Sequence, residues 1–235
     1  ANVLPAQPWV PTPDDPAYAN WNPARDTKDD DIKYFPGMIQ YLDKKVGQVL
    51  SKLRSAGVLN NTIVMFVSDN ATDKRITSMF RGVSVSGGKT QTNRSGTTNA
   101  MVAYWPGHIP GGTTSKTLAD YTDFLPTLAD IAGIPVPLNY GILDGTSFYD
   151  DLLNIQGPDR DWVFCHWDNN LEDTTIAQRY VNDRTYKLYD SIDGGHFYNI
   201  SKDIFETQPI PDNLLTPAEQ NKKMQFMSVL QQMHN

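Results

Sequence analysis

Thr62-Ile63-Val64-Met65-Phe66-Val67-Ser68-Asp69-Asn70 is the stretch on which the architecture turns. Its first six residues form an unbroken β-branched and apolar run, the composition of a strand covered on both faces rather than on one. Asn60 and Asn61 before it, and Ser68 to Asn70 after it, are turn-forming residues that set its ends. Upstream, Met38, Leu42, Val46, Val49 and Leu53 recur at intervals of three and four, with Lys44, Lys45, Lys52 and Arg54 on the opposite side. That spacing predicts an amphipathic helix from Tyr34 to Ala56, stopped by Gly57. A helix feeding a buried strand points to an α/β fold with a partial, mostly parallel sheet and flanking helices.

Further along, a polar, Gly- and Thr-rich stretch from Ser84 to Thr98 leads into a second strand, Ala100 to Trp105, closed by Pro106-Gly107. A loop of that length is more often functional than idle. Asp123 to Ala132 reads as a short helix ended by Gly133. Beyond about residue 155 the pattern changes to short strands: Trp162 to His166, Arg179 to Asn182, Tyr186 to Asp190 and His196 to Ile200. Thr216-Pro217-Ala218-Glu219 is a capping box with proline at the first helical position, and it opens a helix to about Met233 whose Phe226, Leu230 and Met233 face the sheet. The expected organisation is therefore an extended Pro-rich connector over 1–31, an α/β core over 32–155, and a small antiparallel sheet packed against a C-terminal helix over 156–235.

A formal net charge of -7 with no basic run excludes a nucleic-acid partner, which would need clustered Lys and Arg. The longest apolar stretches, Thr62 to Val67 and Ala100 to Trp105, fall far short of the roughly 20 residues of a membrane span. Ala1 to Pro16 lack the basic start and apolar core of a targeting signal. Cys165 is the single cysteine, so no internal disulfide forms.

Open α/β sheets place ligand sites at the carboxyl ends of their strands, which singles out Asp69 and Asn70. Their side chains read either as the start of a turn or as two hard oxygen ligands for a divalent cation that needs six to eight. Lys89, after Gly87-Gly88, reads either as a solvated surface lysine or as a point charge for an oxyanion held close to the backbone. His108, His166, His196 and His234 show no metal-ligand spacing, so a zinc site made within this chain is not expected. Cys165 and His166, strand neighbours pointing to opposite faces, cannot form a nucleophilic pair.

The order of segments resembles the sulfatase family, arylsulfatase-like members of the alkaline phosphatase superfamily, in its C-terminal portion. The resemblance is carried by Met38 to Gly47, Thr62 to Asn70, Gly88-Lys89, Trp105-Pro106-Gly107, Asp123 to Gly133 and Leu143 to Ser147. Leu4-Pro5, Pro11-Thr12-Pro13 and Arg160 to His166 are similar to one bacterial subgroup. It implies that Asp69 and Asn70 match two ligands of an active-site calcium and that Lys89 matches the lysine contacting the substrate sulfate. A sulfated small molecule or glycan as partner, and a periplasmic or secreted location, follow from the same resemblance.

The chain also departs from the family's pattern. Neither Cys-x-Pro-x-Arg nor Ser-x-Pro-x-Arg, whose first residue matures to the formylglycine nucleophile, occurs in it. Where the family has a histidine in Leu-Pro-His-x-Pro this sequence has Ala6, which can neither donate nor accept a proton. Ala71 and Thr90 stand where glycine is usual. The expectation is a sulfatase part that is inert alone and completed by an N-terminal half, or that self-associates through an exposed sheet. The alternative is a degenerate module that binds an anionic ligand or a protein without catalysis. A phosphodiesterase or phosphatase of the same superfamily ranks last, because the Asp and His clusters of paired metals are missing. His166 and Trp167 are candidates for the substrate pocket.

Overall fold

The computed structural model describes residues 7–22, 31–80, 82–136, 139, 141–157, 159–168 and 177–233. They form two compact units. One comprises the described residues up to Val67 with Thr72–Gly87 and Met101–Gly107, and the other Ser68–Ala71, Gly88–Ala100 and the described residues from His108 onward.

In the first unit, helix α1 spans Phe35–Ser55, with proline in its first turn and Gly57 at φ 72° just past its end. Start and stop both fall where the sequence places them. Only Met38 of its apolar stripe is buried, and Val49 is 53% exposed. Met38 packs with Trp9 and Ile76, bordered by Tyr34 and Phe35. The Trp9 ring meets Phe35 edge-on at 6.4 Å and carries the Arg75 guanidinium 4.3 Å from its centroid. The proline-rich segment thus supplies a core residue, and Pro16–Asn20 within it winds into a 3-10 turn.

Strand β1, Val64–Val67, is followed by a hairpin of β2, Thr77–Phe80, and β3, Val83–Ser86, turned at Gly82 with φ 81°. A short helix α2, Arg94–Thr97, precedes β4, Met101–Tyr104, which pairs with β1 in antiparallel register, Val64 opposite Tyr104. The α/β class holds, but the expected mostly parallel pairing does not extend to these strands. Every strand pair among the described residues is antiparallel. An apolar run reports burial, not direction. Parallel neighbours need a crossover that returns the chain to the same end of the sheet, and the link from β1 to β4 holds a hairpin and one helical turn instead. Nor is β1 covered on both faces: Val64 to Phe66 are half-buried, and Val67, Val102 and Tyr104 are exposed.

In the second unit a 3-10 turn, Tyr121–Asp123, runs into helix α3, Phe124–Ala132, which ends at left-handed Gly133. One helical turn, α4 at Tyr149–Leu152, follows. Strands β5 (Val163–Trp167), β6 (Gln178–Asn182), β7 (Tyr186–Tyr189) and β8 (Phe197–Asn199) then make a four-stranded antiparallel meander in chain order. Helix α5, Pro217–Gln232, lies across it. The reciprocal cap is present, with Glu219 N donating to Thr216 Oγ1 at 3.3 Å and Thr216 N to Glu219 Oε2 at 2.9 Å. Val181, Leu188 and Phe197 from the sheet meet Phe226, Val229 and Leu230 from the helix, with Met233 at the edge. Phe226 is fully buried, so truncating it to alanine removes about 3–5 kcal/mol. No described helix is long and apolar enough to cross a membrane.

Candidate functional site

Asp69 and Asn70 leave β1 in a bend fixed by its backbone. Ser68 N donates to Ala100 O at 3.1 Å, Ser68 Oγ donates to Asn70 O at 2.6 Å, and the Tyr121 hydroxyl donates to Ser68 O. Asn99 Nδ2 in turn donates to Tyr121 Oη at 2.7 Å, while its Oδ1 is buried without a hydrogen bond. The peptide groups are thus satisfied locally. By contrast, the exposed Asp69 carboxylate and half-buried Asn70 amide make no hydrogen bond or ion pair within the described residues. Two adjacent, unengaged hard oxygens suit calcium or magnesium in kind and fall short in number. Among the described residues no group of three or more His, Cys, Asp or Glu could hold a metal.

Lys89 lies in the same unit and is likewise without a hydrogen bond or ion pair. Its loop is tightly built. A Cβ on Gly88 would meet Ser95 Oγ and Gly96 N, both at 2.5 Å, so only glycine fits there. Gln91 N donates to Gly88 O at 2.8 Å, and Asn93 caps α2 through Gly96 N at 3.1 Å. Thr90, directly after the lysine, has φ 73°, a left-handed conformation disfavoured for a β-branched side chain. The backbone therefore keeps the shape for which glycine is usual, although threonine fills it.

What fixes this loop is a polar network that sequence reasoning missed. Thr92 Oγ1 donates to Gln178 Oε1 at 2.6 Å and lies 3.0 Å from Tyr189 Oη, and Arg94 Nη1 donates to Ile200 O at 2.9 Å. Lys187 Nζ, on β7, donates to Thr92 O and sits 3.2 Å from Glu206 Oε1, whose Oε2 accepts from Tyr189 Oη at 2.6 Å. Lys187 is 1% exposed, and its Nζ stands 3.8 Å from the Tyr180 ring centroid and 4.6 Å from that of Tyr189. Burial pushes its amine down to about 8, with Glu206 opposing the shift. The phenols of Tyr180 and Tyr189 are pushed up by the same desolvation. A signal was available, since the two-residue period of β7 sends Lys187 and Tyr189 to the face opposite Tyr186 and Leu188.

Three of the quoted landmarks converge elsewhere in the unit. Asp123 is 1% exposed, and its carboxylate accepts from Asp120 N at 2.8 Å and Thr146 N at 2.7 Å. Arg160 pairs with Asp123 at 2.7 Å and with Asp120, and it donates to Asp144 O at 2.8 Å. Desolvation raises the Asp123 carboxyl against these stabilising contacts. A Cβ on Gly145 would meet Thr122 O at 2.0 Å. Thr127 accepts from Phe148 N at 3.0 Å and donates to Asp123 O at 2.7 Å. These residues join helix α3 to the segment before α4, an architectural duty rather than a chemical one.

Cys165 is half-buried, and desolvation raises its thiol, so it is no nucleophile. His166 is exposed, whereas the half-buried Trp167 lines a cavity beside the Lys89 loop. Ala6 and His234 lie outside the described residues.

The sulfatase family profile matches residues 6–134, so the chain belongs to the sulfatase family. Residues 92–234 also match a profile described as N-sulphoglucosamine sulphohydrolase, C-terminal. Mouse (Mus musculus) N-acetylgalactosamine-6-sulfatase is 32% identical over 143 residues, covering 60% of this chain and 27% of that protein. Human arylsulfatase A is 38% identical over 107 residues, covering 44% and 20% respectively. Among solved structures, BT4656 in complex with its substrate D-glucosamine-2-N,6-O-disulfate superposes with a TM-score of 0.67 at 21% identity, over 88% of this chain and 41% of its own. That likeness supports the α/β fold. The chain spans less than half the length of each of these relatives.

Proposed function

We propose that this chain supplies part of the active site of a sulfate-ester hydrolase: Asp69 and Asn70 as two ligands of a calcium ion, and Lys89 as the ammonium that contacts the sulfate. The observation that carries the reading is that these three side chains, in a family that hydrolyses sulfate esters, are left unengaged on otherwise well-satisfied loops. Both charges are open to solvent and committed to no partner in the fold, so a cation and an anion can reach them without breaking an existing pair. Bound calcium would act as a Lewis acid on the sulfate oxygens. Lys89 would hold another oxygen and offset the negative charge that develops there. The backbone around Ser68 and Gly88, locked by the hydrogen bonds above, would keep both groups in place before substrate arrives.

The nucleophile is not in this sequence, so the chain alone would not turn over substrate. The relatives' names point to sulfated sugars as the substrate class, and a periplasmic or secreted location is part of the same proposal. The exposed Val67, Val102 and Tyr104 on the two-stranded sheet support association with a missing half or a second copy. A second reading, a non-catalytic anion-binding module, is favoured by Ala6.

Calorimetric titration with calcium chloride of this chain complexed with the N-terminal half of a related sulfatase tests the metal ligands: binding should weaken at least about tenfold in Asp69→Ala and Asn70→Ala. Complementation with the N-terminal half of a related sulfatase should give sulfate release that Lys89→Ala abolishes. Absence of calcium binding in that complex would refute the site. Calcium binding without turnover on complementation would favour the non-catalytic module.

A further inference from the structure

Every polar group of Ser68 is engaged: its N–H donates to Ala100 O at 3.1 Å, its hydroxyl donates to Asn70 O at 2.6 Å, and its carbonyl accepts from the Tyr121 hydroxyl. A peptide unit is planar, so fixing the Ser68 carbonyl fixes the plane that enters Asp69, and fixing the Asn70 carbonyl fixes the plane that leaves Asn70. The two candidate ligands are thus carried between two held planes. The contact with Tyr121 reaches 53 residues along the chain.

Tyr121 is itself held. Its 3-10 turn is capped by Asp120, which accepts from Thr122 N at 2.8 Å and pairs with Arg160. The turn ends in buried Asp123, paired with the same arginine at 2.7 Å. Its ring stacks on Phe124 at 6.2 Å, and Phe124 meets buried Phe148 edge-on at 5.5 Å. Asn99 Nδ2 donates to the Tyr121 oxygen at 2.7 Å. An amide nitrogen can only donate, so the phenol oxygen accepts there and its single proton is directed to Ser68 O. The opposite orientation of the amide would take that proton for Asn99 Oδ1 and leave the Ser68 carbonyl without it. The orientation present instead leaves Asn99 Oδ1 buried without a hydrogen bond among the described residues. Orphaned buried acceptors cost stability and are rare, so one that is retained marks a side chain whose orientation answers to another duty.

We infer that Asn99 and Tyr121 are positioning residues of the proposed metal site: their relay of two hydrogen bonds aims the Ser68 carbonyl and so holds the backbone that carries the Asp69 carboxylate and the Asn70 amide before a cation arrives. The metal role rests on the proposed function, whereas the hold on Ser68 does not. Ligands set in advance are ordered at less cost on binding, which appears as affinity. Tyr121→Phe keeps the ring on Phe124 and removes only the relay hydroxyl, and Asn99→Ala removes its support. In the full chain alone, NMR-detected hydrogen exchange at the Ser68 amide should quicken about three- to tenfold in Tyr121→Phe, the worth of one hydrogen bond, while the amides of α5 keep their native rates. In complex with the N-terminal half of a related sulfatase, calorimetry should show calcium binding weakened by a similar factor in Tyr121→Phe and by less in Asn99→Ala. The double variant should bind no more weakly than Tyr121→Phe, because Asn99 acts only through that hydroxyl. Saturating calcium should restore sulfate release to Tyr121→Phe and leave Lys89→Ala inactive. Native exchange at Ser68 in Tyr121→Phe, calcium affinity that ignores this variant, or losses that add in the double variant each overturn the inference. Absence of calcium binding in the unsubstituted complex overturns the metal role together with the proposed function, a result distinct from binding that Tyr121→Phe leaves unchanged.

Discussion

Replacing Lys187 by methionine tests whether the loop carrying Lys89 is held by a buried ion pair. Methionine preserves most of the aliphatic volume, so the change is chiefly the loss of the ammonium. In the native chain Lys187 and Glu206 side chains are 2% and 4% exposed, with 3.2 Å between Nζ and Oε1. Without the ammonium, Glu206 retains only the Tyr189 hydroxyl at 2.6 Å, and Thr92 O loses its buried donor. Breaking such a pair from one side costs about 3–5 kcal/mol, because the remaining charge stays desolvated. The lysine is itself held unfavourably, its amine pushed down to about 8 by desolvation that outweighs Glu206, so the cost is expected below that range, about 1–3 kcal/mol, from the buried acceptors left without their donor. Glu206→Gln alone should destabilise as well, while the double variant should recover at least about 1.5 kcal/mol of the summed losses. Guanidinium unfolding followed by circular dichroism gives the four stabilities. Hydrogen exchange over residues 88–98 should quicken in Lys187→Met, since Thr92 is then anchored by its hydroxyl alone. A cost below about 1 kcal/mol, or additivity within about 0.5 kcal/mol, would refute the coupling.

Thr90→Gly should stabilise the chain by about 1 kcal/mol, because it removes a β-branched side chain from φ 73°; a lower thermal midpoint would show that threonine contacts outweigh the strain. Stability should rise between about pH 8 and pH 10. In that window the unfolded chain keeps the Lys187 proton that the folded chain has lost, giving at most about 1.4 kcal/mol per pH unit. Above pH 10 the trend should reverse, since Tyr180 and Tyr189 ionise more readily when unfolded; pH-dependent denaturation of Lys187→Met should lack the rise. Arg160→Met should cost about 3–5 kcal/mol at pH 7 by leaving buried Asp123 unpaired. The loss should shrink towards pH 4, because Asp123, already raised by burial, then takes up a proton in the folded state. An equal loss at both pH values would disprove that explanation.

Local rules, wherever they operate, were legible in the sequence. The extent of α1, the stop at Gly57, the capping box at Thr216 and the four strands from Val163 to Asn199 all depend on neighbours within a few residues. The hairpin Thr77–Ser86 escaped notice because its residues are mostly exposed and its turn is carried by Gly82 alone rather than by an Asn-Gly or Asp-Gly pair. Asp69, Asn70 and Lys89 were singled out through resemblance to sulfatases, since turn residues and a lysine after two glycines carry little chemical signal by themselves.

The sequence by itself determined the family, helices α1, α3 and α5 and the four strands of the antiparallel sheet, because each is written in contiguous motifs. Only the tertiary structure decided that β1 and β4 run antiparallel, that Trp9 enters a core with Met38 and Ile76, and that Thr92, Gln178, Lys187, Tyr189 and Glu206 form one network. The cavity beside Lys89 belongs to the same group. These features join residues far apart in the chain, and their free energy comes from desolvation and pairing that no local pattern encodes.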